Sequence, residues 1–351
     1  MSILDLASDK IIDKYSKRKS SFYSYYPMNG LWKEEKGQES YVEAIRDLKK
    51  KNPSSAINIY IHFPFCETQC LFCHCFTIIS KDRKDHDKIV DAIVREVKII
   101  KKICKDLDYK PNIKEIHFGG GSPSNLSEKN FQKLIEAIQS LNKESKLVEC
   151  ALEIDPRYNI NEDKLLFFSD IGINRISFGI QDFDPSIGKT VNRINSYDQI
   201  KNLLTDKVRS KFNGINFDFI YGMPKQTLET WEKTIEKATD LSPDRLAVYV
   251  WGFRPDLYPH MKTLEKYERA DLITQHKMFN YAANKFLKSG YEFIGIDHFA
   301  KKTDVLYKAK IDNTLDRNAI GYTSGLARDI IAIGPNSMSS IGDYYFQNHH
   351  V

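Results

Sequence analysis

Four cysteines occur within a stretch of ten residues, at Cys66, Cys70, Cys73 and Cys75. The first three have the spacing C-x3-C-x2-C. They follow a strand-like run, 57–63, in which apolar and polar residues alternate until a proline ends the pattern. Thiolate sulfur is a soft ligand that suits iron, so three thiolates at this spacing could hold one side of a cube of iron and sulfide. The segment therefore indicates a metal site at the end of a strand.

The cysteines by themselves are also compatible with two other kinds of metal site. A structural zinc site usually pairs two short Cys/His hairpins that are far apart in sequence, and the remaining cysteines, Cys104 and Cys150, form no second pair. A cluster held by cysteine at every iron, serving only electron transfer, is the other alternative. Disulfides are not expected, because the chain has six cysteines in 351 residues and its first residues lack the pattern of a secretion signal.

Polar residues also follow several other strand-like runs. The second run is followed by Gly119–Gly121, whose bare backbone could contact a ligand, and then by Ser122. The alternation of residues along the strands directs Glu153 and Asp218 inward, away from the faces that carry their apolar neighbours. A buried carboxylate needs a partner or a ligand. Glu153 is therefore expected either to pair with a neighbour such as Arg175 or to accept hydrogen bonds from a bound cofactor.

Two further polar side chains, Gln181 and Arg193, come at the end of the run 174–180 and in the segment after it. Taken alone, Arg193 is interpreted as a solvated charge rather than as a clamp for a carboxylate. In a β/α barrel the carboxyl ends of the strands gather at one face. Gln181 and Arg193 are therefore expected near the cysteine segment.

Strand-like and helical stretches alternate along most of the chain, which is typical of parallel β/α units. We predict an α/β fold, a partial (β/α)6 TIM-like barrel, rather than a doubly wound sheet, since no G-x-G-x-x-G follows a first strand. Predicted strands lie at 57–63, 113–118, 147–154, 174–180, 214–220 and 245–251, and predicted helices at 86–104, 127–141, 161–171, 196–207 and 227–240.

Three segments are expected in the chain. Residues 1–50 are predicted to form an N-terminal arm packed on the barrel, and 51–260 to form the barrel itself. Residues 261–351 are predicted to form a short C-terminal extension with a long helix at 262–290 and a further strand and turn at 291–300.

Composition argues against two classes of partner. The chain is 41% hydrophobic and has 52 basic and 47 acidic residues, a net charge of +5. This balance does not favour nucleic-acid binding, which concentrates basic residues on one face or tail. No apolar run approaches the roughly 20 residues that a membrane span needs. We expect a cytoplasmic protein that binds neither nucleic acid nor membrane.

The motifs taken in order resemble the radical S-adenosylmethionine (SAM) superfamily, and within it the branch that contains the oxygen-independent coproporphyrinogen III oxidases. The resemblance covers most of 57–345 and is carried by IYIHFPFC, CLFCHC, HFGGGSPSNL, LEIDPR, NRISFGIQDFD, FDFIYGMPKQT and YEFIGIDHFA. It implies an enzyme with a [4Fe-4S] cluster and one or two SAM molecules. That enzyme would make a 5′-deoxyadenosyl radical, which takes hydrogen from a propionate of a tetrapyrrole so that carbon dioxide is lost. A reductant such as flavodoxin or ferredoxin would be a partner.

The resemblance also implies a role for each matching residue. Cys66, Cys70 and Cys73 would ligate the cluster, with Cys75 as a nearby residue that is not a ligand. Tyr60, His62 and Cys75 would lie at the catalytic centre. The cofactor-binding residues would be Tyr60, Gly120, Gly121, Ser122, Glu153, Gln181, Arg193, Asp218 and Gly252.

The sequence departs from the family pattern in three places. The arginine of the family's N-terminal RYTSYPT is missing from the matching segment 22–28, and Ala319-Ile320 stands where the family has Phe-Gln. The family's C-terminal domain is expected to be absent after Val351. A four-carboxylate substrate favours guanidinium partners. Two alternatives therefore stay open: a related C-methyltransferase or cyclopropanase, and a heme chaperone, the latter disfavoured because Arg317-Asn318 replaces a His-Asn motif.

Overall fold

The structure is a computed structural model that describes residues 10, 11, 14, 27, 32, 37–144 and 146–350. Most of the predicted N-terminal arm, including 22–26, lies outside these residues. The helices are α1 (Gly37–Lys51), α2 (Arg83–Asp106), α3 (Glu128–Gln139), α4 (Glu162–Asp170), α5 (Pro185–Thr190), α6 (Tyr197–Leu203), α7 (Asp206–Arg209), α8 (Leu228–Leu241), α9 (Leu272–Lys288) and α10 (Val305–Ile311).

The strands include six that alternate with helices in the first part of the chain. In order they are β1 (Ala56–Phe63), β2 (Phe65–Cys66), β3 (Ile78–Ile79), β4 (Asn112–Gly120), β5 (Glu149–Ile154), β6 (Arg175–Gln181), β7 (Gly214–Tyr221), β8 (Arg245–Val250), β9 (Tyr291–Gly295), β10 (His298–Lys301), β11 (Asp316–Asn318), β12 (Gly321–Thr323), β13 (Asp329–Ile333), β14 (Met338–Ile341) and β15 (Tyr344–Gln347).

Eleven of these strands form one open sheet, in the order β15-β14-β13-β1-β4-β5-β6-β7-β8-β10-β9. The seven neighbours from β13 to β8 are parallel, and β10 pairs with β8 in the antiparallel sense. The sheet keeps two edges and does not close. The six β/α units lie side by side in chain order, which confirms the predicted partial (β/α)6 barrel.

The helices pack on the outer face of the sheet. Outward side chains such as Ile59, Phe118, Leu152, Phe178 and Phe217 are completely buried beneath them. Successive strand residues point to opposite faces, so the alternate positions line an inner lumen, and these are mainly polar. They are Asn58, Tyr60, His62, Glu115, His117, Glu149, Glu153, Arg175, Ser177, Asn216, Asp218, Arg245 and Tyr249.

The C-terminal part of the chain differs from its prediction. The single helix predicted at 262–290 is wrong: a 3-10 helix, Pro259–Leu264, comes first, and α9 begins only after Asp271, whose side chain accepts a hydrogen bond from the Thr274 N–H. An aspartate in this position satisfies an N–H that the helix itself leaves unpaired. A comparable cap at Thr205 starts α7, so 196–207 is two helices.

Strand β13 was not predicted, although it extends the parallel sheet. It lies beside β1, with Ile57 opposite Asp329 and Ile61 opposite Ile333. Its residues Ile330–Ile333 are buried. The chain therefore returns to the first strand of the barrel before it reaches the hairpin of β14 and β15. Within the described residues, no helix is both long enough and apolar enough to cross a bilayer.

A buried network of ion pairs joins the lumen to α10. Arg175 donates to Glu149 Oε2 at 2.8 Å and to Asp304 Oδ2 at 3.2 Å, and Arg245 donates to Asp304 Oδ1 at 2.7 Å. Asp304 also caps α10 by accepting the Leu306 N–H at 2.8 Å. Its side chain is 0% exposed, and the two arginines lower the pKa of its carboxyl although burial acts to raise it.

Replacing Asp304 should therefore destabilise the fold. Asp304→Ala leaves the buried guanidinium of Arg245 without a carboxylate, leaves Arg175 with Glu149 alone and removes a helix cap. We therefore expect a loss of about 3–5 kcal/mol in the free energy of unfolding. Urea denaturation followed by circular dichroism measures it. The control is Asp312→Ala at the exposed end of the same helix, which should change stability by less than about 0.5 kcal/mol. Equal effects of the two changes would show that the network contributes nothing.

Candidate metal and cofactor centre

The four clustered cysteines lie on a loop that is fastened at both ends. Phe65 and Cys66 pair with Ile78 and Ile79 as the short strands β2 and β3. The middle of the loop is held from outside by the segment after β8. The indole N–H of Trp251 donates to the Phe72 carbonyl at 3.4 Å, and the His260 ring lies 2.9 Å from the Cys73 carbonyl. The loop therefore has a defined conformation that presents its sulfur atoms at the end of β1.

Each of the three cysteines in the C-x3-C-x2-C motif has a hydrogen-bond donor at its sulfur. The Ser122 hydroxyl lies 3.5 Å from Cys66 Sγ, and the Cys75 backbone N–H lies 3.3 Å from Cys73 Sγ. The third donor, Arg157 Nη2, lies 3.2 Å from Cys70 Sγ. Donors of this kind orient metal-bound thiolates and stabilise their charge. These three donors would therefore stabilise negative charge on the sulfur atoms.

Burial opposes that charge as long as no metal is bound. It raises the pKa of Cys66 to about 12, partly offset by Ser122, and it also raises the pKa of Cys70 in spite of Arg193 and Arg157. The pKa of Cys73 is lowered, chiefly by its hydrogen bond with the Cys75 side chain. Thiols must lose their protons to bind metal, so metal binding here would release protons.

The donor set suits a cluster better than a single ion. Among the described residues, no three side chains of Cys, His, Asp or Glu converge closely enough to hold one metal ion. An iron–sulfur cluster binds each thiolate at a different iron, so its ligands need not converge on one point. All six cysteines are free thiols, as predicted.

A cavity of about 140 Å³ opens beside the four cysteines and reaches the ends of β4 to β7. Its wall includes Gly120, Gly121, Glu153, Gln181, Arg193 and Asp218 from the predicted set. Two buried atoms of this wall, Gln181 Oε1 and Arg193 Nε, have no hydrogen-bond partner among the described residues. Unpaired buried polar atoms are rare. One acceptor and one donor are therefore available to a bound molecule that carries both a donor and an anionic group.

The glycine run at the end of β4 is required by the protein's own packing. A Cβ at Gly119 would lie 2.7 Å from Glu153 Oε1, and a Cβ at Gly120 would lie 2.8 Å from the His62 ring. At Gly121 the obstacle is the Phe65 carbonyl, 2.7 Å away. Gly120 also has a φ of +106°, a conformation that favours glycine. The run thus brings β4 into direct contact with β1 and the cysteine loop.

Tyr60, His62 and His117 form an aromatic group beside Glu153. The Tyr60 hydroxyl lies 3.3 Å from His62 Nδ1, and the Tyr60 ring stacks on His117 with centroids 5.7 Å apart. His117 Nε2 lies 3.0 Å from Glu153 Oε1, and the Gly120 N–H donates to the other carboxylate oxygen at 3.3 Å. Glu153 therefore faces the lumen, but its partner is His117, while Arg175 pairs with Glu149.

Other predicted residues lie close by in different settings. Asp218 accepts hydrogen bonds from Ser177 at 2.7 Å and Asn216 at 3.0 Å, and burial raises the pKa of its carboxyl. The Gly252 carbonyl lies 2.7 Å from the His74 ring and does not line the cavity. Arg193 is buried rather than solvated, so the solvated-charge interpretation is wrong.

Sequence reasoning missed Asp155, Arg157 and His117. Asp155 forms ion pairs with both arginines: its Oδ2 lies 2.5 Å from Arg193 Nη1 and 2.7 Å from Arg157 Nη2. The signal was present, since Asp155 and Arg157 follow directly after β5 in the motif LEIDPR. The rule that polar residues after barrel strands gather at one face would have selected them.

A second cavity of about 160 Å³ lies farther from the cysteines, in the part of the lumen near the first residues of β5, β6 and β8, here called the lower lumen. It shares Glu153, Ser177 and Asp218 with the first cavity. Its other acidic and basic lining residues are Glu115, His117, Glu149, Arg175, Arg245 and His298. Burial, followed by the charge of Glu149, raises the pKa of Glu115 to about 7. The hairpin residues 320–324 close one side of this cavity.

Comparison with known proteins gives consistent matches. The sequence profile described as the radical SAM superfamily matches residues 60–238. The oxygen-independent coproporphyrinogen III oxidase of Pseudomonas aeruginosa is 31% identical over 330 residues, 93% of this chain and 70% of that protein. The Escherichia coli protein of the same name is 32% identical over 329 residues, 93% of this chain and 69% of its own length.

A solved structure agrees with these matches. Coproporphyrinogen III oxidase from Escherichia coli, described as a radical SAM enzyme, superposes with a TM-score of 0.84 at 29% identity. The superposition covers 94% of this chain and 74% of that one.

The contact between His117 and Glu153 predicts a pH-dependent change. Burial alone would lower the pKa of His117, but the hydrogen bond and charge of Glu153 outweigh it, and the pKa is raised. The resulting stabilisation is complete below the ordinary histidine pKa of about 6.5 and is lost as the pH rises through the raised value.

In Glu153→Gln the burial remains while the charge is gone, so we expect the pKa of His117 to fall below its ordinary value. An NMR titration of the histidine rings measures it, with the His117 signal assigned by its loss in His117→Gln. The exposed change Glu128→Gln is the control. An unaltered His117 pKa in Glu153→Gln would refute the coupling.

Proposed function

The chain belongs to the radical SAM superfamily and, within it, to the family of oxygen-independent coproporphyrinogen III oxidases, and we propose that its reaction is the oxidative decarboxylation of coproporphyrinogen III propionates. Enzymes of this superfamily use a [4Fe-4S] cluster and SAM. The observation that carries the proposal is the set of three sulfurs, each with its own hydrogen-bond donor, beside a cavity with an unpaired donor and an unpaired acceptor.

In this proposal Cys66, Cys70 and Cys73 hold the cluster. When bound, the cluster would supply the electron for the reductive cleavage of SAM to methionine and the 5′-deoxyadenosyl radical. Cys75 stays unligated; its backbone N–H donates to Cys73 Sγ, and its side chain is exposed to the cavity. The short loop between Cys70 and Cys73 is held by Trp251 and His260, which keeps the ligands in place.

The cavity residues would bind SAM through complementary charges. Arg193 presents its unpaired Nε to an anionic group, as the methionyl carboxylate of SAM requires. Gln181 Oε1 and the carboxylates of Glu153 and Asp218 accept hydrogen bonds from amino and hydroxyl groups. Ser122 and Gly252 act indirectly, through Cys66 and through the His74 side chain.

Tyr60 and His62 would pack behind the glycine run and help to exclude water from the site. Both project from β1 next to the glycine run, and the His62 ring is fixed by the Phe76 carbonyl at 3.0 Å. Burial lowers the pKa of His62, so the imidazole is neutral over most of the physiological range. A water-excluded site of this kind protects a carbon radical from side reactions. The hydrogen atom that the radical removes would come from a substrate propionate. Loss of carbon dioxide, with transfer of one electron to an external one-electron acceptor, would then leave a vinyl group.

A second candidate function is favoured by the charge of the lower lumen. Its two arginines, Arg175 and Arg245, are already paired with Glu149 and Asp304. Four carboxylates line the cavity (Glu115, Glu149, Glu153 and Asp218). A tetracarboxylate substrate prefers unpaired guanidinium groups. These observations disfavour a tetracarboxylate substrate and leave room for a different small molecule, as in a related enzyme that uses a second SAM for methyl transfer or cyclopropanation.

The reaction needs a one-electron donor, and we propose a small redox protein such as flavodoxin or ferredoxin. We also propose a cytoplasmic location, where thiols stay reduced and can bind iron.

The ligand assignment predicts the outcome of single cysteine replacements. Alanine at Cys66, Cys70 or Cys73 removes one of three protein ligands, so anaerobically reconstituted protein should lose most of its iron and its cluster absorbance. Cys75→Ser is the matched control and should retain about four irons per chain. Iron and sulfide analysis with visible spectroscopy checks both. Iron loss in Cys75→Ser with retention in any one of the other three would contradict the assignment.

The substrate is tested by incubating the reduced holoenzyme with SAM and coproporphyrinogen III under anaerobic conditions. The main proposal predicts 5′-deoxyadenosine together with a product that has lost carbon dioxide and gained a vinyl group. If 5′-deoxyadenosine forms and the porphyrinogen is unchanged, the substrate assignment fails. S-adenosylhomocysteine formed beside 5′-deoxyadenosine with another acceptor would support the second candidate.

A further inference from the structure

We propose that Arg157 sets the reduction potential of the cluster by hydrogen bonding to the sulfur of Cys70. The inference rests on the proposed function, because it takes Cys70 as a cluster ligand. Arg157 does not line the cavity beside the cysteines, so we do not expect it to touch SAM or substrate. It is a residue that would act on the cluster through one of its ligands.

All five N–H groups of Arg157 have acceptors. Nε donates to Asp155 Oδ1 at 3.0 Å, and Nη1 donates to the Asn192 carbonyl at 2.9 Å and to Thr68 Oγ1 at 3.3 Å. Nη2 donates one hydrogen to Asp155 Oδ2 at 2.7 Å and directs the other at Cys70 Sγ, 3.2 Å away. The guanidinium therefore has one orientation, and in that orientation the sulfur of Cys70 is an obligatory partner.

The charge around Cys70 is unbalanced. Asp155 is the single carboxylate between two guanidinium groups, because Arg193 Nη1 lies 2.5 Å from the same Oδ2 and 3.8 Å from Cys70 Sγ. The side chains of Arg157 and Arg193 are 10% exposed and that of Asp155 is 3% exposed. A buried excess of positive charge requires a nearby anion. The thiolate of Cys70 is one such anion, and it lies nearer to Arg157 than to Arg193.

The three cysteine sulfurs therefore have unequal surroundings. Cys66 and Cys73 receive hydrogen bonds from a hydroxyl and from a backbone N–H, both neutral donors. Cys70 alone of the three receives a hydrogen bond from a charged donor. Hydrogen bonds from charged groups are about twice as strong as neutral ones.

This asymmetry affects electron uptake. Reduction adds negative charge to the cluster and its sulfurs, and hydrogen bonds and net charge near the sulfurs are among the factors that set the potential. A guanidinium fixed against Cys70 stabilises the reduced form more than the oxidised form. The wild-type cluster should therefore accept an electron at a less negative potential than it would without Arg157.

The experiment is a potentiometric titration of reconstituted Arg157→Gln, followed by visible absorption and by the electron paramagnetic resonance of the reduced cluster. With iron content unchanged, we expect the ratio of reduced to oxidised cluster at a fixed potential to be about tenfold lower in the variant, which corresponds to a midpoint about 59 mV more negative for a one-electron couple. The exposed change Arg95→Gln on α2 is the control and should leave the midpoint unchanged. A fully loaded Arg157→Gln cluster with the wild-type potential overturns the inference.

Arg157 also bridges the cysteine loop to Asn192, so a purely structural role must be distinguished from tuning. Arg157→Lys keeps the charge but lacks the planar fork, and we expect a loaded cluster with a shift of the same sign as in Arg157→Gln but smaller. If Arg157→Gln fails to bind iron, an unshifted potential in the loaded Lys variant overturns the inference. If neither variant binds iron, the role is structural and the inference also fails. Wild-type protein without a reducible cluster would instead refute the proposed function.

Discussion

A cluster of iron and sulfide needs ligands that can bear negative charge in a site that excludes water, and this requirement governs the architecture around the cysteine loop. Burial raises the pKa of Cys66 and Cys70, so these two cysteines are neutral thiols when no metal is bound. The protein offsets that effect with donors from three different elements: Ser122 after β4, Arg157 after β5 and the loop's own backbone at Cys75. The position of these donors depends on parallel strands that end at the same level.

The strands meet this condition because the sheet twists into a partial barrel with adjacent β/α units in chain order. Outward residues such as Phe178 and Phe217 form the core beneath the helices, which leaves the inner positions for polar groups. The glycine run of β4 lets Tyr60 and His62 of β1 approach the next strand without a side chain in between. The same contact places Glu153 and His117 beside the cysteine cavity. The lumen is therefore polar. Four carboxylates line its lower cavity, whereas the two arginines there, Arg175 and Arg245, are already paired.

Much of this arrangement could be predicted from local patterns. The cysteine spacing, the glycine run and the alternation around Glu153 and Asp218 are all read over fewer than ten neighbouring residues. They predict a metal centre at the cysteine loop, and they correctly place the two carboxylates in the lumen. The other features depend on contacts that no local pattern contains. Arg157 reaches Cys70 across 87 positions of the chain, and β13 joins β1 across 272. Arg193 is a further example, because nothing in its sequence neighbourhood indicates that it is buried and paired with Asp155.

The measurement that tests the account most directly is the Mössbauer spectrum of protein reconstituted with 57Fe, recorded with and without SAM. Three cysteine ligands leave one iron of the cube without a protein ligand, so the account predicts that SAM changes the signal of one iron out of four while the other three are unaffected. A spectrum that SAM leaves unaltered, or a purified protein with zinc in place of iron at these cysteines, would contradict it.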